Sequence, residues 1–233
     1  CIMTWGKDKY IVMRMIWLSH VLDQTTPLYQ GANNLSIRKT SSIDEGATSN
    51  SALLCLPSHA GTHVDVPYHF LPDGKTVDAY APEDWLFTSP CLVEIDVKPD
   101  QLIHQQDIPW KEIRKNDIDL LLLKTGFEGQ RGDAAYWKNG PGLSASLWEC
   151  LRKATPCLRA VGIDFLSISA LSNREEGRLA HRTFLGNGII LLEDLSLSRV
   201  GVKDNLLQVM ALPLRFAGGD GAPCSVIGWV EDQ

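Results

Sequence analysis

The period of the apolar positions changes several times along the chain, and each change marks an element. Residues 10–22 open with YIVMRMIWL, rich in β-branched and aromatic residues, which predicts a strand ending near Ser19-His20. Residues 23–34 are crowded with Asp, Asn, Pro27 and Gly31 and predict turns. Residues 35–50 are polar with spaced Leu and Ile, which suits a hairpin or surface loop, and an apolar run follows at 52–56. Leu-Pro-Asp-Gly-Lys at 71–75 predicts a turn, and residues 82–85 a short helix start. CLVEIDV at 91–97 alternates and predicts a strand. Asp107-Ile-Pro109 predicts the start of a helix running through Lys115. IDLLLL at 118–123 is apolar on both faces, as a strand covered on both sides should be.

Residues 128–142, rich in Gly and charge, predict a loop. Ser144 is placed to cap a helix running to Ala154, with Leu143, Leu147, Cys150, Leu151 and Ala154 on one face. Further strands are predicted at 158–163, ending at Asp164, and at 189–192, delivering Glu193. The last two fall at 206–214 and 226–230, with Asp220-Gly-Ala-Pro223 as a turn between them. There is no internal repeat and no linker. The pattern predicts an α/β chain of one domain, with more strand than helix and no regular βαβ alternation.

One polar stretch breaks this alternation: His59-Ala-Gly-Thr-His63-Val-Asp65-Val-Pro-Tyr-His69-Phe70. It holds three of the six histidines. Gly61, Pro67 and the β-branched Thr62 and Val64 argue against a helix. In an extended segment His63 and Asp65 share a face, and a turn at Gly61 can bring His59 to the same point. His and Asp suit Zn²⁺, Mn²⁺ or Fe²⁺. His69 can take or give a proton beside such an ion, or serve as a further ligand or a packed histidine. Other donors must come from elsewhere, and His181 and Glu193 are the candidates. Glu193 ends a buried run and needs either a cation or several hydrogen bonds. Spacing leaves two readings open for this pair: both bind the ion, or Glu193 pairs with an Arg such as Arg182 while His181 is exposed. Tyr68, Phe70 and Trp85 can line an aromatic pocket or pack in the core.

Composition narrows the partners. The chain has 233 residues, is 44% hydrophobic and 21% charged, and carries a net charge of −6. With no block of like charge, it argues against nucleic acid and anionic membrane as partners. Its six cysteines include no C-x-x-C pair, so a thiolate zinc site is poorly supported and a cytoplasmic protein is expected. Residues 10–18 are too short and too interrupted by Arg14 for a membrane span. A metal-stabilised binding protein without turnover is the rival to an enzyme. Closed structural zinc sites use several cysteines, however, and this set does not.

The stretch 59–70 resembles the H-x-G-T-H-x-D-x-P-x-H-F signature of the metal-dependent cyclase and kynurenine formamidase superfamily. The opening strand to Leu18-Ser19-His20, Thr26-Pro-Leu-Tyr-Gln-Gly31, Leu122-Leu-Lys-Thr-Gly126, Ala160-Val-Gly-Ile-Asp164, Leu212-Pro-Leu and Asp220-Gly-Ala-Pro223 are similar to further family segments. The resemblance spans residues 13–229 and leaves 1–12 as an N-terminal extension before a hydrolase domain over 13–233. It implies a cyclase-like fold with a mixed β-sheet core and flanking helices. It implies metal ligands His59, His63, Asp65, His181 and Glu193, a catalytic His69, and one or two ions, Zn²⁺ or Mn²⁺. It also implies a small-molecule substrate, a homodimer or higher homo-oligomer, and hydrolysis of an amide-like bond. The reference reaction is N-formylkynurenine to kynurenine and formate; cleavage of a lactam such as isatin, a cyclic imide or a lactone is the alternative.

The departures from the pattern touch the substrate rather than the metal. Trp17 stands where the family has Asp, Gln30-Gly31-Ala32 replaces Pro-Gly-Asp, Phe165-Leu166 follows Asp164, and Ser225 replaces an Arg. No cation stands out in the sequence to meet an amino-acid carboxylate.

Overall fold

The computed structural model describes residues 2–4, 10–113 and 117–232. The strands in chain order are β1 (Ile2–Thr4), β2 (Tyr10–Trp17), β3 (Ser36–Ser41), β4 (Ser51–Cys55), β5 (His63–Asp65), β6 (Leu86–Phe87) and β7 (Pro90–Glu94). They continue with β8 (Leu102–Ile103), β9 (Leu120–Lys124), β10 (Gly142–Leu143), β11 (Ala160–Ile163), β12 (Ile190–Glu193), β13 (Leu206–Pro213) and β14 (Gly221–Glu231). The helices are α1 (Ala134–Lys138), α2 (Leu147–Ala154) and α3 (Arg174–Gly186).

A ten-stranded mixed sheet runs in the order β1-β2-β14-β5-β12-β11-β9-β7, with β13 and β6 branching from β14. The strands β12, β11, β9 and β7 are parallel, whereas β5 pairs antiparallel with both β12 and β14. The three-residue β5 therefore joins a parallel half to an antiparallel half.

IDLLLL lies within the parallel half, and its composition follows from its place. Leu121 and Leu123 pack with Leu147, Leu151 and Phe184 beneath α2 and α3. Leu120 and Leu122 face the other way, onto Val64, Val209 and Val226. Both faces of β9 are thus covered, and all four leucines are fully buried. Each buried leucine stabilises the fold by about 1.5–3 kcal/mol.

Several elements differ from the pattern. The predicted helix from Asp107 is a 3-10 turn at Gln105–Asp107 followed by turns; Lys115 lies outside the described residues. The loop at 128–142 contains α1. The helix after Ser144 begins at Leu147 with Ser146 as its N-cap, because the Ser144 hydroxyl is engaged by Ser146 and Glu176. The sequence pattern assigned no element to residues 174–188, yet α3 occupies most of them. Asp220-Gly-Ala-Pro223 is not a turn: Gly221, Ala222 and Pro223 already pair with β5, and the turn lies just before, at 217–218. The apolar run at 52–56 falls largely in β4, which forms a separate hairpin with β3 and leaves Leu53 and Leu54 half exposed. No helix among the described residues is long and apolar enough to cross a membrane.

Candidate metal centre

The strand β5 sets up the site through its period of two. Val64 points into the core shared with β13 and β14, while His63 and Asp65 share the opposite face. Glu193 is the cross-strand partner of His63 on β12 and therefore lies on that face too. The helix α3 covers this side of the sheet and lowers His181 onto it. All four side chains are buried: Asp65 is 1% exposed, Glu193 2%, His63 3% and His181 3%.

Histidine nitrogens and carboxylate oxygens face one another in turn. His63 Nε2 lies 3.4 Å from Asp65 Oδ1 and 3.4 Å from Glu193 Oε2. His181 Nε2 lies 3.5 Å from Asp65 Oδ2 and 3.6 Å from Glu193 Oε1. These distances are long for N–H···O bonds, which run about 2.7–3.2 Å. They are close to the roughly 3.3 Å that separates two ligands of one ion whose bonds are about 2.0–2.1 Å long. The rear nitrogens are committed to backbone: His63 Nδ1 meets Gly61 O at 2.8 Å, and His181 Nδ1 meets Gly177 O at 2.8 Å. Each ring thus donates from Nδ1 and presents Nε2 to the carboxylates, the orientation a metal-ligating histidine takes once that nitrogen is deprotonated. Ile168 N donates to Glu193 Oε1 at 2.7 Å and fixes that carboxylate. The donor set fits a divalent ion by chemistry, spacing and tautomer.

Electrostatics give the same answer. Burial opposes charge on His63 and His181, but Asp65 and Glu193 outweigh it; His63 is held well above the usual histidine range and His181 rises to about 10. Two buried carboxylates side by side call for positive charge, from protons on the histidines or from an ion that displaces them.

A second cluster stands beside the first. His59 places Nδ1 2.7 Å from Asp65 Oδ1 and Nε2 2.8 Å from Asp220 Oδ2. His69 Nδ1 is 3.0 Å from the same Asp220 oxygen. The His59 and His69 rings lie 4.0 Å apart. Burial of His59 is overcome by Asp65 and Asp220, which raise it to about 9; both its nitrogens can then donate. Asp220, bonded to both rings, sits far below the usual carboxylate range. Glycine at 221 lets β14 come this close, since a Cβ there would meet His59 Cε1 at 2.4 Å. Gly61 has φ +62°, the left-handed turn that swings His59 towards Asp65.

Of the six residues singled out in the sequence, His63, Asp65, His181 and Glu193 face one another in the buried part of the site; His181 is 3% exposed and Glu193 lies against both rings rather than Arg182. His59 and His69 join through Asp220, which the sequence presents as part of a turn and of a family-like segment but not as a site residue. Asp194, just beyond Glu193, braces the site from behind. It is fully buried, accepts three bonds from Arg131 and one from Tyr136, and takes a bond from Thr62 on its carbonyl.

A cavity of ≈ 320 Å³ opens onto these groups, with Tyr29, Phe70 and Leu166 among its walls. Phe70 stacks on the His181 ring at 4.5 Å. Trp85 is core instead, and Tyr68 is half exposed and outside the cavity lining. Among the departures from the family pattern, Gln30 to Ala32 and Phe165 do not line this cavity, whereas Leu166 does; Trp17 and Ser225 line a separate hollow.

Comparison with known proteins agrees with this picture. Kynurenine formamidase from Bacillus cereus is 27% identical over 210 residues, covering 90% of this chain and 94% of that one. Its counterpart from Bacillus anthracis is 26% identical over 220 residues, covering 92% and 96%. Among solved structures, an isatin hydrolase bound to the product analogue thioisatinate superposes with a TM-score of 0.81 at 20% identity, over 94% of this chain and 93% of that one. Isatin hydrolase A from Ralstonia solanacearum gives 0.79 at 23% identity, over 94% and 92%. These likenesses establish the mixed-sheet fold expected from the sequence. The Cyclase family model matches residues 16–170, most of the chain, and the chain belongs to that family.

Proposed function

We propose that this chain is a divalent-metal-dependent hydrolase that cleaves the carbon–nitrogen bond of a small aromatic amide or formamide. The observation that carries the proposal is the pair of donor groups that share Asp65, His59-His63-Asp65 and Asp65-His181-Glu193, with His69 beside them at the end of an aromatic-walled cavity. The formamidase relatives support the bond type, with N-formylkynurenine as the reference substrate.

Asp65, His181 and Glu193, with His63 next to them, hold one ion, Zn²⁺ or Mn²⁺. His59 belongs to the ligand set only if it gives up one of its two carboxylate bonds, which would make a second position around Asp65. When bound, the metal lowers the pKa of a water towards about 7 and polarises the substrate carbonyl. The protein does the rest. Asp220 occupies His69 Nδ1 and leaves Nε2 for proton transfer. That nitrogen takes the proton as water adds to the carbonyl and returns it to the departing nitrogen. Phe70 and Tyr29 bracket the aromatic ring of the substrate.

The proposal extends to a homo-oligomer in the cytoplasm, with residues 1–12 preceding the family-like part of the chain and extending its sheet through β1 and the start of β2. Exposed Trp17, Leu53, Leu54 and Leu214 support association, and light scattering tests it. The test of function is hydrolysis of formanilide, N-formylkynurenine and isatin by metal-loaded protein with and without chelator. Chelator-sensitive cleavage of the formamides is the expected result. Cleavage of isatin alone would move the assignment to a cyclic amide hydrolase. Turnover of none of them would leave a metal-binding protein.

A further inference from the structure

The floor of the cavity is acidic and imidazole-lined, but its mouth is cationic. Arg174 and Arg178 both line it, together with Ser167 and Ser169. They stand on the same helix as His181, at spacings of four and three residues, so the three share one face of α3. A rise of 1.5 Å per residue places Arg178 about 4.5 Å, and Arg174 about 10.5 Å, from His181 along the helix axis. The chain carries −6 overall, and Asp65, Glu193 and Asp220 sit at the cavity floor or beside it. Two guanidinium groups at the entrance run against that balance.

Neither arginine is consumed by the fold. Both are exposed. Arg178 meets only the side chain of Glu175 among the described residues, and Glu175 is 85% exposed, so an anion in the cavity can replace it. Glu176, the other acid of the first turn, is held away by Ser144 and Ala145. Arginine offers a planar fork that matches a carboxylate with two parallel bonds. Tyr29 Oη and Ser169 Oγ, 3.5 Å apart, add hydroxyls near the same wall.

We infer that the cavity selects a substrate carrying a carboxylate remote from the scissile amide, with Arg178 and Arg174 as the residues that recognise it. This rests on the amide-hydrolase reading above and supplies the cation that the sequence did not reveal. The aryl ring lies between Phe70 and Tyr29, the amide faces His69, and the carboxylate reaches back along α3 to the mouth.

The test compares two substrates matched except for charge, 3-(2-formamidophenyl)propanoate and the corresponding alcohol, on metal-loaded protein. Wild type is expected to prefer the carboxylate by roughly tenfold or more in kcat/KM, as a site built around a polar partner does. Arg178→Gln should erase most of that preference through KM, and Arg178→Lys should keep part of it. Equal treatment of the two substrates by wild type, or an equal loss on both in Arg178→Gln, overturns the inference. A calorimetric titration with the amine product, 3-(2-aminophenyl)propanoate, reads the same site without turnover. Binding that weakens about tenfold in Arg178→Gln upholds the arginine site even if no formamide is cleaved. Binding that is absent, or unchanged by the substitution, sinks the inference whatever the fate of the hydrolase reading.

Discussion

The two histidine clusters share Asp65 and differ in nearly everything else. In the inner one, His63, His181, Asp65 and Glu193 are buried, and the gaps between nitrogens and oxygens are 3.4–3.6 Å. In the outer one, His59, His69 and Asp220 are partly exposed and closed on each other at 2.7–3.0 Å. Imidazole and carboxylate are common to both, so residue type does not separate them. What separates them is the anchoring of the rear nitrogen. Backbone carbonyls hold the inner rings back from the carboxylates and keep a hole open. Side-chain carboxylates draw the outer rings into direct hydrogen bonds and leave none. Under the proposed function the inner cluster holds the ion and the outer one holds and moves protons.

Asp65→Ala should have the largest effect, because Asp65 serves both clusters. Metal content should fall from stoichiometric to near zero by elemental analysis, and hydrolysis should fall to that of chelated wild type. Stoichiometric metal in this variant would break the distinction outright. His69→Ala should keep the metal and lose turnover on the order of 10²–10⁴-fold, since only the proton carrier is gone. Loss of metal in His69→Ala would place it in the inner set instead. Asp220→Asn keeps the shape but weakens the hold on His69 Nδ1. A loss of roughly 10–100-fold in kcat with metal retained is expected, by analogy with other orienting partners.

The smallest effect is one of pH on the chelated protein. His59 and His181 have folded-state values raised to about 9 and about 10, against 6.5 unfolded. Their contribution to stability is therefore complete below pH 6.5 and is lost as pH rises through about 9 to 10. Thermal melts of chelated protein should show the midpoint falling across that window. In metal-loaded protein the ion replaces the protons, and the fall should flatten. Identical slopes with and without metal would mean that the inner carboxylates are not the source of the shift.

Much of this was legible in the chain, and the exceptions have physical causes. The run IDLLLL announces a strand covered on both faces, and the spacing from His59 to His69 announces the gathering of imidazole and carboxylate that the fold completes. The helix α3 stayed hidden because Gly177 interrupts it and its N-cap, Asn173, makes no side-chain capping bond. With the helix unseen, the common face of Arg174, Arg178 and His181 was unseen too. Asp220 was hidden for a different reason. Asp-Gly-Ala-Pro carries the chemistry of a turn, and only pairing with β5 from far along the chain makes it the start of a strand. The buried brace of Arg131, Tyr136 and Asp194 likewise joins residues that sequence spacing does not connect.

The position of β5 has a consequence in time. Its three residues are flanked by β12 and β14, whose partner positions are synthesised more than a hundred residues later. At about 5–20 residues per second, roughly 6–30 s separate the emergence of His63 from that of Glu193 and Gly221. Until then the nascent chain displays three histidines and an aspartate with no chamber around them. The closing strand is thus the step that completes the cluster, and a message cut short before residue 221 would yield a polypeptide with β5 unpaired on that side.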